Sequence, residues 1–593
     1  MKRSRIRTIG IVCAFMQILI AGCGNDDVTG PAPTANWVQT SGPEGGHVIA
    51  LVATGSSVFA GTFGSGLFRS TNQGETWTAN GLPAKNVYAL VVSNASLFAG
   101  TYDDGGVYRS MDNGSTWVAV NSGLTNMDIY TMAVNGTSLF AGTGDGIFRS
   151  DNNGDTWISV NPGQWRWPVR VMVASGTNLL AGTANGILRT TDNGATWSFL
   201  GLAGKDIWAL VDTGTSLIAG DWEGIFRSTD DGATWNRANS GLTNQYAHVL
   251  AVSGTNVFVG TGDGVFRSTD DGATWTAVNS GLPSGVYVAT FLVSGTSLYA
   301  GTMHGVFHSA DDGANWTELN SGLKATTIQT LTTSGRIVYA GGSYGSGLFR
   351  SANEGATWTC LGLTNTQIQA LVVTDSGLYA GTNIGVFRST DDGVTWTEVN
   401  SGLSNTHVFA LLASGGNLYA GTNDGVFRLT NDGSTWTSIS SGLSSPLVLA
   451  LAVRDTSLFA GTTGGVFRST DDGATWAAAG SELTGLQVNM ITVNDTNLFA
   501  GTTVGLFRST DDGVTWTAVS SGLTTSYVTG LLVSGATLFA ATWGGGVCRS
   551  TDNGSTWTAF NAGLTVSDIR ALAANGTNLL VGTVGAGVWR HAL

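Results

Sequence analysis

Residues 264–276 read GVFRSTDDGATWT, and near-copies of this stretch recur along most of the chain. Val, Phe and Arg in GVFRS make a short strand pattern bounded by glycine. STDDGA is a cluster of turn formers, and TWT begins a second run rich in strand formers. The surrounding unit is seen at Asn86–Leu124, NVYALVVSNASLFAGTYDDGGVYRSMDNGSTWVAVNSGL. It holds four β-like runs: VYALVV, LFAGT, GVYRS and TWVAV.

The unit repeats with a fixed period. Fourteen tryptophans, from Trp37 to Trp557, mark it at spacings of 38 to 42 residues. Four short strands in about forty residues make one blade of a β-propeller. No segment carries the 3.6-residue period of an amphipathic helix. The expected fold is all-β: tandem β-propellers with fourteen four-stranded blades. Single rings usually hold about 4–8 blades, so two seven-bladed rings are the simplest division. The chain opens at Trp37 in a fourth-strand pattern and closes at Gly587–Arg590 in a third-strand pattern. Pairing those two strands would shut a ring and leave no long edge. The expected organisation is a leader at 1–22, a tether at 23–36, a first propeller at 37–308 and a second at 309–593. The intact turn at Ser309–Trp316 leaves open an insertion of one ring into the other.

Composition narrows the function. The 593 residues include 86 Gly but only 8 Pro, and 20 Trp, 23 Phe and 12 Tyr, with 11% charged residues. A disordered chain would be richer in charge and poorer in aromatics. The balance of 26 basic to 40 acidic residues opposes nucleic-acid binding, which needs concentrated Lys and Arg. Lys2, Arg3, Arg5 and Arg7 precede an apolar run at 8–20, too short to span a bilayer but suited to a signal peptide. The run ends in Ile20-Ala21-Gly22-Cys23, which resembles a bacterial lipobox. The resemblance implies cleavage before Cys23 and its lipidation. It also implies a place in the cell envelope at the outer membrane, with membrane contact through the anchor only. Cys360 and Cys548 fall in strand patterns and read as small core residues; no Cys/His spacing suggests a metal site.

The sequence Ser/Thr-x-Asp-x-Gly-x-x-Trp occurs, with minor variants, thirteen times, as in Ser228, Asp230, Gly232 and Trp235. Its aspartate can accept backbone N–H groups inside a tight turn, and its glycine can adopt a left-handed conformation. Its tryptophan supplies an apolar plug. This box resembles the Asp-box, or bacterial neuraminidase repeat. Propellers of that kind include sialidases, two-propeller xyloglucanases, sortilin-type receptor domains and photosystem II assembly-factor-type proteins. Thirteen copies of one active site are implausible, so the box is read as structural.

Function is sought where the units differ. In a propeller, the loop from second to third strand and the segment entering the next first strand meet on one face. On that face of the first ring stand Tyr88, Tyr102, Asp103, Tyr130, Trp165, Arg166, Trp167, Asp206, Trp208, Asp221, Trp222 and Glu223, at positions that other units fill with small or polar residues. Aromatic faces beside carboxylates suit sugar rings, cations or peptide segments. The expected function is a binding or assembly scaffold for a protein or glycan ligand, monomeric and without cofactor or metal. A glycoside hydrolase using loop carboxylates is the alternative; the Phe-Arg-Ile-Pro signature and arginine cluster that sialidases carry are not found here.

Overall fold

A computed structural model describes residues 36–593 apart from 41–44, 56, 84, 162–165, 295–296, 322–323, 344–345, 365, 430–434, 495–496 and 576. The leader, Cys23 and nearly all of the tether therefore lie outside the described residues. Among those described there are fourteen four-stranded antiparallel sheets, one two-stranded sheet and a single short 3₁₀ turn at Ser481–Leu483.

One blade shows why the repeat folds as it does. Its strands are Ala247–Ser253, Asn256–Thr261, Gly264–Ser268 and Thr276–Ala277, each paired with the next. The second strand lies in the middle of a layered stack and is buried from Val257 to Thr261. At Gly260 an added Cβ would lie 2.8 Å from Val288 Cγ1 of the next blade, so the AGT-type segment uses glycine to let blades approach. Core clusters form between neighbouring blades: Ile218 and Ile225 pack with Val257, Phe266 and Trp275.

The box closes the turn between third and fourth strands. Ser228 Oγ donates to Asp230 Oδ1 (2.7 Å) and accepts from the Gly232 N–H (2.8 Å). Asp230 Oδ1 also accepts from the Thr234 N–H at 2.8 Å. Two residues take left-handed conformations, Asp231 at φ 56° and Gly232 at φ 87°. The tryptophan then reaches back to the preceding blade: Trp275 is 4% exposed and its indole N–H donates to Ala238 O at 2.9 Å.

The hydroxyl and backbone donors of the turn hold the box carboxyls low. Asp112, Asp192, Asp230, Asp270, Asp311, Asp391, Asp471, Asp511 and Asp552 are each lowered to about 2, first by the side chain four residues on, a Thr or, beside Asp311, Asn315. A carboxyl whose folded pKa lies below its unfolded value of 3.8 adds stability above that value, and the contribution is lost as pH falls through the folded pKa. The melting temperature is therefore expected to fall between about pH 4 and pH 2, and less steeply as successive box aspartates are replaced by Asn. Calorimetry across that range checks this; identical slopes in a multiple Asp→Asn variant would contradict it.

The chain divides into two compact units, one of Glu44–Thr326 and one of 327–593 together with the N-terminal segment up to Pro43. Each has seven blades. In the Glu44–Thr326 unit every blade is built from consecutive strands, and the first strand of the first blade, Val48–Thr54, neighbours that of the seventh, Val288–Ser294. The joint between them repeats the box contact. Trp77 N and Nε1 donate to Ser321 O and Leu319 O of the seventh blade, both at 2.8 Å. Gly45–Gly46 and Lys324–Ala325, where the chain enters and leaves this unit, pair in parallel.

The other unit closes by strand exchange. Val38–Gln39 supplies the fourth strand of the blade made by Ile569–Ala574, Asn578–Thr583 and Val588–Ala592, with Val38 opposite Arg590 and Gln39 opposite Trp589. The pairing of the opening and closing segments is the one read from the sequence.

The division expected at 308/309 is corrected. Thr317–Glu318 pairs with Gly305–Ser309 in one blade, so that cut would sever a hairpin. The break falls after Thr326, and the first ring is inserted into the second. Of the two remaining cysteines, Cys548 is buried as expected, whereas Cys360 is exposed on its outer strand.

Candidate functional site

Antiparallel pairing puts the box turn at one end of each blade and the second-to-third loop at the other, beside the entry to the first strand. In the Glu44–Thr326 unit that entry carries a bulge. The register of Ile129–Asn135 slips between Ile129 and Thr131, and Tyr130 is left out of the ladder. The same slip frees Tyr88, Arg170 and His248. A bulge re-aims the side chain it releases. Here the released side chains, with those just before the strands, meet one another from blade to blade.

The resulting series is continuous. Tyr88, Tyr102 and Tyr130 lie with ring centroids 5.4 to 6.5 Å apart. The Arg170 guanidinium sits 4.9 Å from the Tyr130 ring and 4.3 Å from the Trp208 ring. Trp208 stacks on His248 at 5.4 Å, and His248 touches Tyr246 and Tyr287 at 5.6 and 4.9 Å. His47 lies 6.1 Å from Tyr287 and stacks on Phe63 at 5.8 Å. The tyrosines, Trp208 and His248 are half-buried.

Electrostatics keep this collar nearly neutral. Burial lowers the His47 and His248 pKa values to about 4, with nearby His248 and His304 adding to the effect at His47. Both imidazoles are therefore uncharged at neutral pH. Burial, then Tyr130, raises Tyr102 to about 12. The one cation within the ring series, Arg170, is paired through Nε with Asp206 Oδ1 at 3.3 Å.

The remaining carboxylates are engaged. Asp103 accepts from the Asn86 side-chain amide, and its exposed turn has positive φ at Asp103 and Asp104. Asp221 is fully buried, at a position where the neighbouring blades carry Thr183 and Thr261. It accepts from the Glu223 N–H at 2.7 Å, and Lys205 Nζ lies 3.9 Å away. Glu223 is held by Lys205 at 2.6 Å and by Arg237. Burial raises the Asp221 pKa, while the Lys205 and Arg237 hydrogen bonds lower that of Glu223.

The sequence-based residues thus fall into three groups. Tyr88, Tyr102, Tyr130, Asp206 and Trp208 come together in the collar, with Asp103 next to Tyr102 in the adjoining turn. Asp221 and Glu223 form a separate ion-pair cluster, with Trp222 between them in sequence and 58% exposed. Arg166 is exposed and Trp167 half-buried, while Trp165 lies outside the described residues. His47 was not singled out by the sequence, although it precedes its strand in the same register as Tyr246 and Tyr287. Among the described residues no group of His, Cys, Asp or Glu is placed to hold a metal ion.

The second unit offers a contrast at the same register. Gln329, Gln369, Phe409, Leu449, Asn489, Thr529 and Arg570 are all buried. Thr529 donates to Ile569 O at 2.7 Å and Asn489 to Val528 O at 3.2 Å, tying each blade to the next. That ring fills its own centre, whereas the same register of the Glu44–Thr326 ring, from Ile49 to Ala289, stays half-buried.

The DUF6242 β-propeller domain model matches residues 284–405, 321–447 and 403–532. Among curated proteins none matches the chain. Several solved structures share the fold. The GH74 enzyme of Niastella koreensis is 18% identical, with 94% of this chain and 99% of that one covered and a TM-score of 0.63. The GH74 xyloglucanase of Xanthomonas campestris is 16% identical, with coverage of 94% and 100% and a TM-score of 0.67. PorZ of Porphyromonas gingivalis, a surface component of the type-IX secretion system, is 15% identical, with coverage of 94% and 87% and a TM-score of 0.56.

Proposed function

We propose that the chain is a lipid-anchored binding scaffold of the cell envelope, an Asp-box propeller whose ligand, a glycan or a protein, docks on the aromatic face of the Glu44–Thr326 unit. The carrying observation is the contrast between rings: one blade register is buried throughout in one unit, whereas in the other it is half-buried throughout and aromatic at Tyr88, Tyr130, Trp208 and His248. The repeat folds without those aromatics, so folding alone does not require them. Trp222, 58% exposed beside them in the same ring, adds apolar surface of the kind that usually marks interaction. Anchoring rests on the Ile20–Cys23 lipobox, and mass spectrometry of the membrane-extracted protein should find Cys23 acylated at the N-terminus.

Glycan and protein pull-downs with residues 36–593 test the site. Tyr130→Ala, Trp208→Ala and Trp222→Ala are each expected to weaken the captured ligand roughly thirtyfold, the usual scale for truncating an aromatic hot spot. Trp222→Ala, being exposed, should leave the melting temperature unchanged. Full affinity in all three would remove this face as the site.

A glycoside hydrolase is the second reading. It is favoured by the opposite pKa displacements of Asp221 and Glu223, a pattern that can separate acid from base. It is also favoured by the shared fold of GH74 xyloglucanases. Against it, Asp221 is fully buried and both carboxylates flank Lys205. No release of reducing ends from xyloglucan is expected. Release that disappears in Glu223→Gln would install this reading instead.

A further inference from the structure

Arg170 is held more tightly than a surface arginine and less completely than a structural one. Its Cζ lies 4.9 Å from the centre of the Tyr130 ring and 4.3 Å from that of Trp208. Its Nε donates to Asp206, and the side chain retains only 17% of its exposure. Among the described residues, no protein acceptor meets Nη1 or Nη2. A guanidinium packed against two rings and tied at Nε keeps its two terminal nitrogens for a further acceptor. That geometry matches a planar acceptor with two oxygens, and carboxylates take such a fork in a bidentate manner. Two neighbouring polar atoms, Trp208 Nε1 and His248 Nδ1, are also buried without a hydrogen-bond partner, so the polar demand of this segment is not met within the protein.

We propose that Arg170 receives the carboxylate of a single uronic acid residue at the end of a glycan, with the sugar ring lying on the neighbouring aromatic side chains. This rests on the binding-scaffold reading above and specifies its ligand. One guanidinium, already half-compensated by Asp206, suits one carboxylate rather than a phosphate or a run of charges. A net charge of −14 further opposes a polyanion. The choice of a sugar over a peptide comes from the surroundings. Peptide backbones need amide-type donors and acceptors in register, and at the strand entries Asn86 is bound to Asp103, while the Asn126 and Asn244 side chains accept from the Asp128 and Tyr246 N–H groups. The collar instead offers ring faces for C–H surfaces and phenol hydroxyls for sugar hydroxyls.

The test is calorimetric titration of residues 36–593 with a tetrasaccharide ending in glucuronic acid, its methyl ester and its glucose-ended counterpart. A free-acid pentapeptide and its C-terminal amide form a second arm. The acid is expected to bind roughly tenfold to a hundredfold more tightly than the ester and the neutral sugar, the scale of hydrogen bonds to a charged group. Arg170→Lys, which keeps charge but not the fork, and Arg170→Met should abolish that difference. The ester comparison uses the unaltered protein, so it decides even if a variant folds poorly. Equal binding of all three saccharides, weakened by Tyr130→Ala, would overturn the carboxylate assignment and leave the aromatic site standing. Binding of the free-acid peptide without the saccharides would overturn the glycan in favour of a chain terminus. Binding of none of the probes would overturn the inference, and the pull-down would then judge the site by itself.

Discussion

Removing residues 36–40 is expected to lower the melting transition of the 327–593 unit by roughly 10 °C or more while sparing that of the Glu44–Thr326 unit. The loss begins with Trp37, 3% exposed, whose indole N–H donates to Phe560 O at 2.7 Å. Truncating a buried aromatic costs about 3–5 kcal/mol, and in a domain of this size 1 kcal/mol moves the transition by about 2–4 °C. The pairing of Val38 and Gln39 with Arg590 and Trp589 goes as well, and with it the bonds of Thr40 to Val588 O. A bare strand edge remains at Val588–Ala592, which invites association between chains. Differential scanning calorimetry with light scattering reads both effects. A truncated protein that melts like the full one would show that strand exchange contributes little to closure.

The second large effect concerns the box indoles. Trp77→Ala and Trp275→Ala each remove a side chain only 3–4% exposed, and each should cost about 3–5 kcal/mol. Their consequences differ in reach. Trp275 joins blades that the chain also connects covalently. Trp77 packs with Tyr299 and Val306 across the joint between first and seventh blades, where no peptide bond crosses between them. Loss of Trp77 therefore frees the ring to open there. Hydrogen exchange should accelerate in both Val48–Thr54 and Val288–Ser294, whereas Trp275→Ala should confine its effect to its own pair of blades. Equal and local exchange in the two variants would contradict this account of closure. An unchanged melting temperature with lost ligand binding would make the box functional rather than structural.

The blades were legible because each is specified locally. The box, the AGT-type strand and the spacing of tryptophans carry all the information one blade needs, and it is written many times over. The ring boundary was not legible for the same reason. Ser309–Trp316 looks like every other box turn, because it is one; what separates the units is which strands neighbour each other across hundreds of residues. The aromatic site was readable where a residue departed from its repeat, as at Tyr88, Tyr130 and Trp208. Arg170 takes its meaning from Tyr130 and Trp208 on the flanking blades, which no single unit shows. His47 became part of the series only when the first and seventh blades met. Asp221 looked like a loop carboxylate, yet it occupies the threonine position of its strand and is buried.

The strand exchange at Val38–Gln39 has a temporal side. Those residues leave the ribosome long before their partners at 589–590. The Glu44–Thr326 ring needs nothing made after it and can mature while synthesis or export continues. The opening strand must meanwhile wait through the emergence of both rings before its place exists. A chain interrupted before residue 588 would thus hold one finished ring and an unclaimed strand preceding it, which makes completion of that shared blade a checkpoint for the second ring.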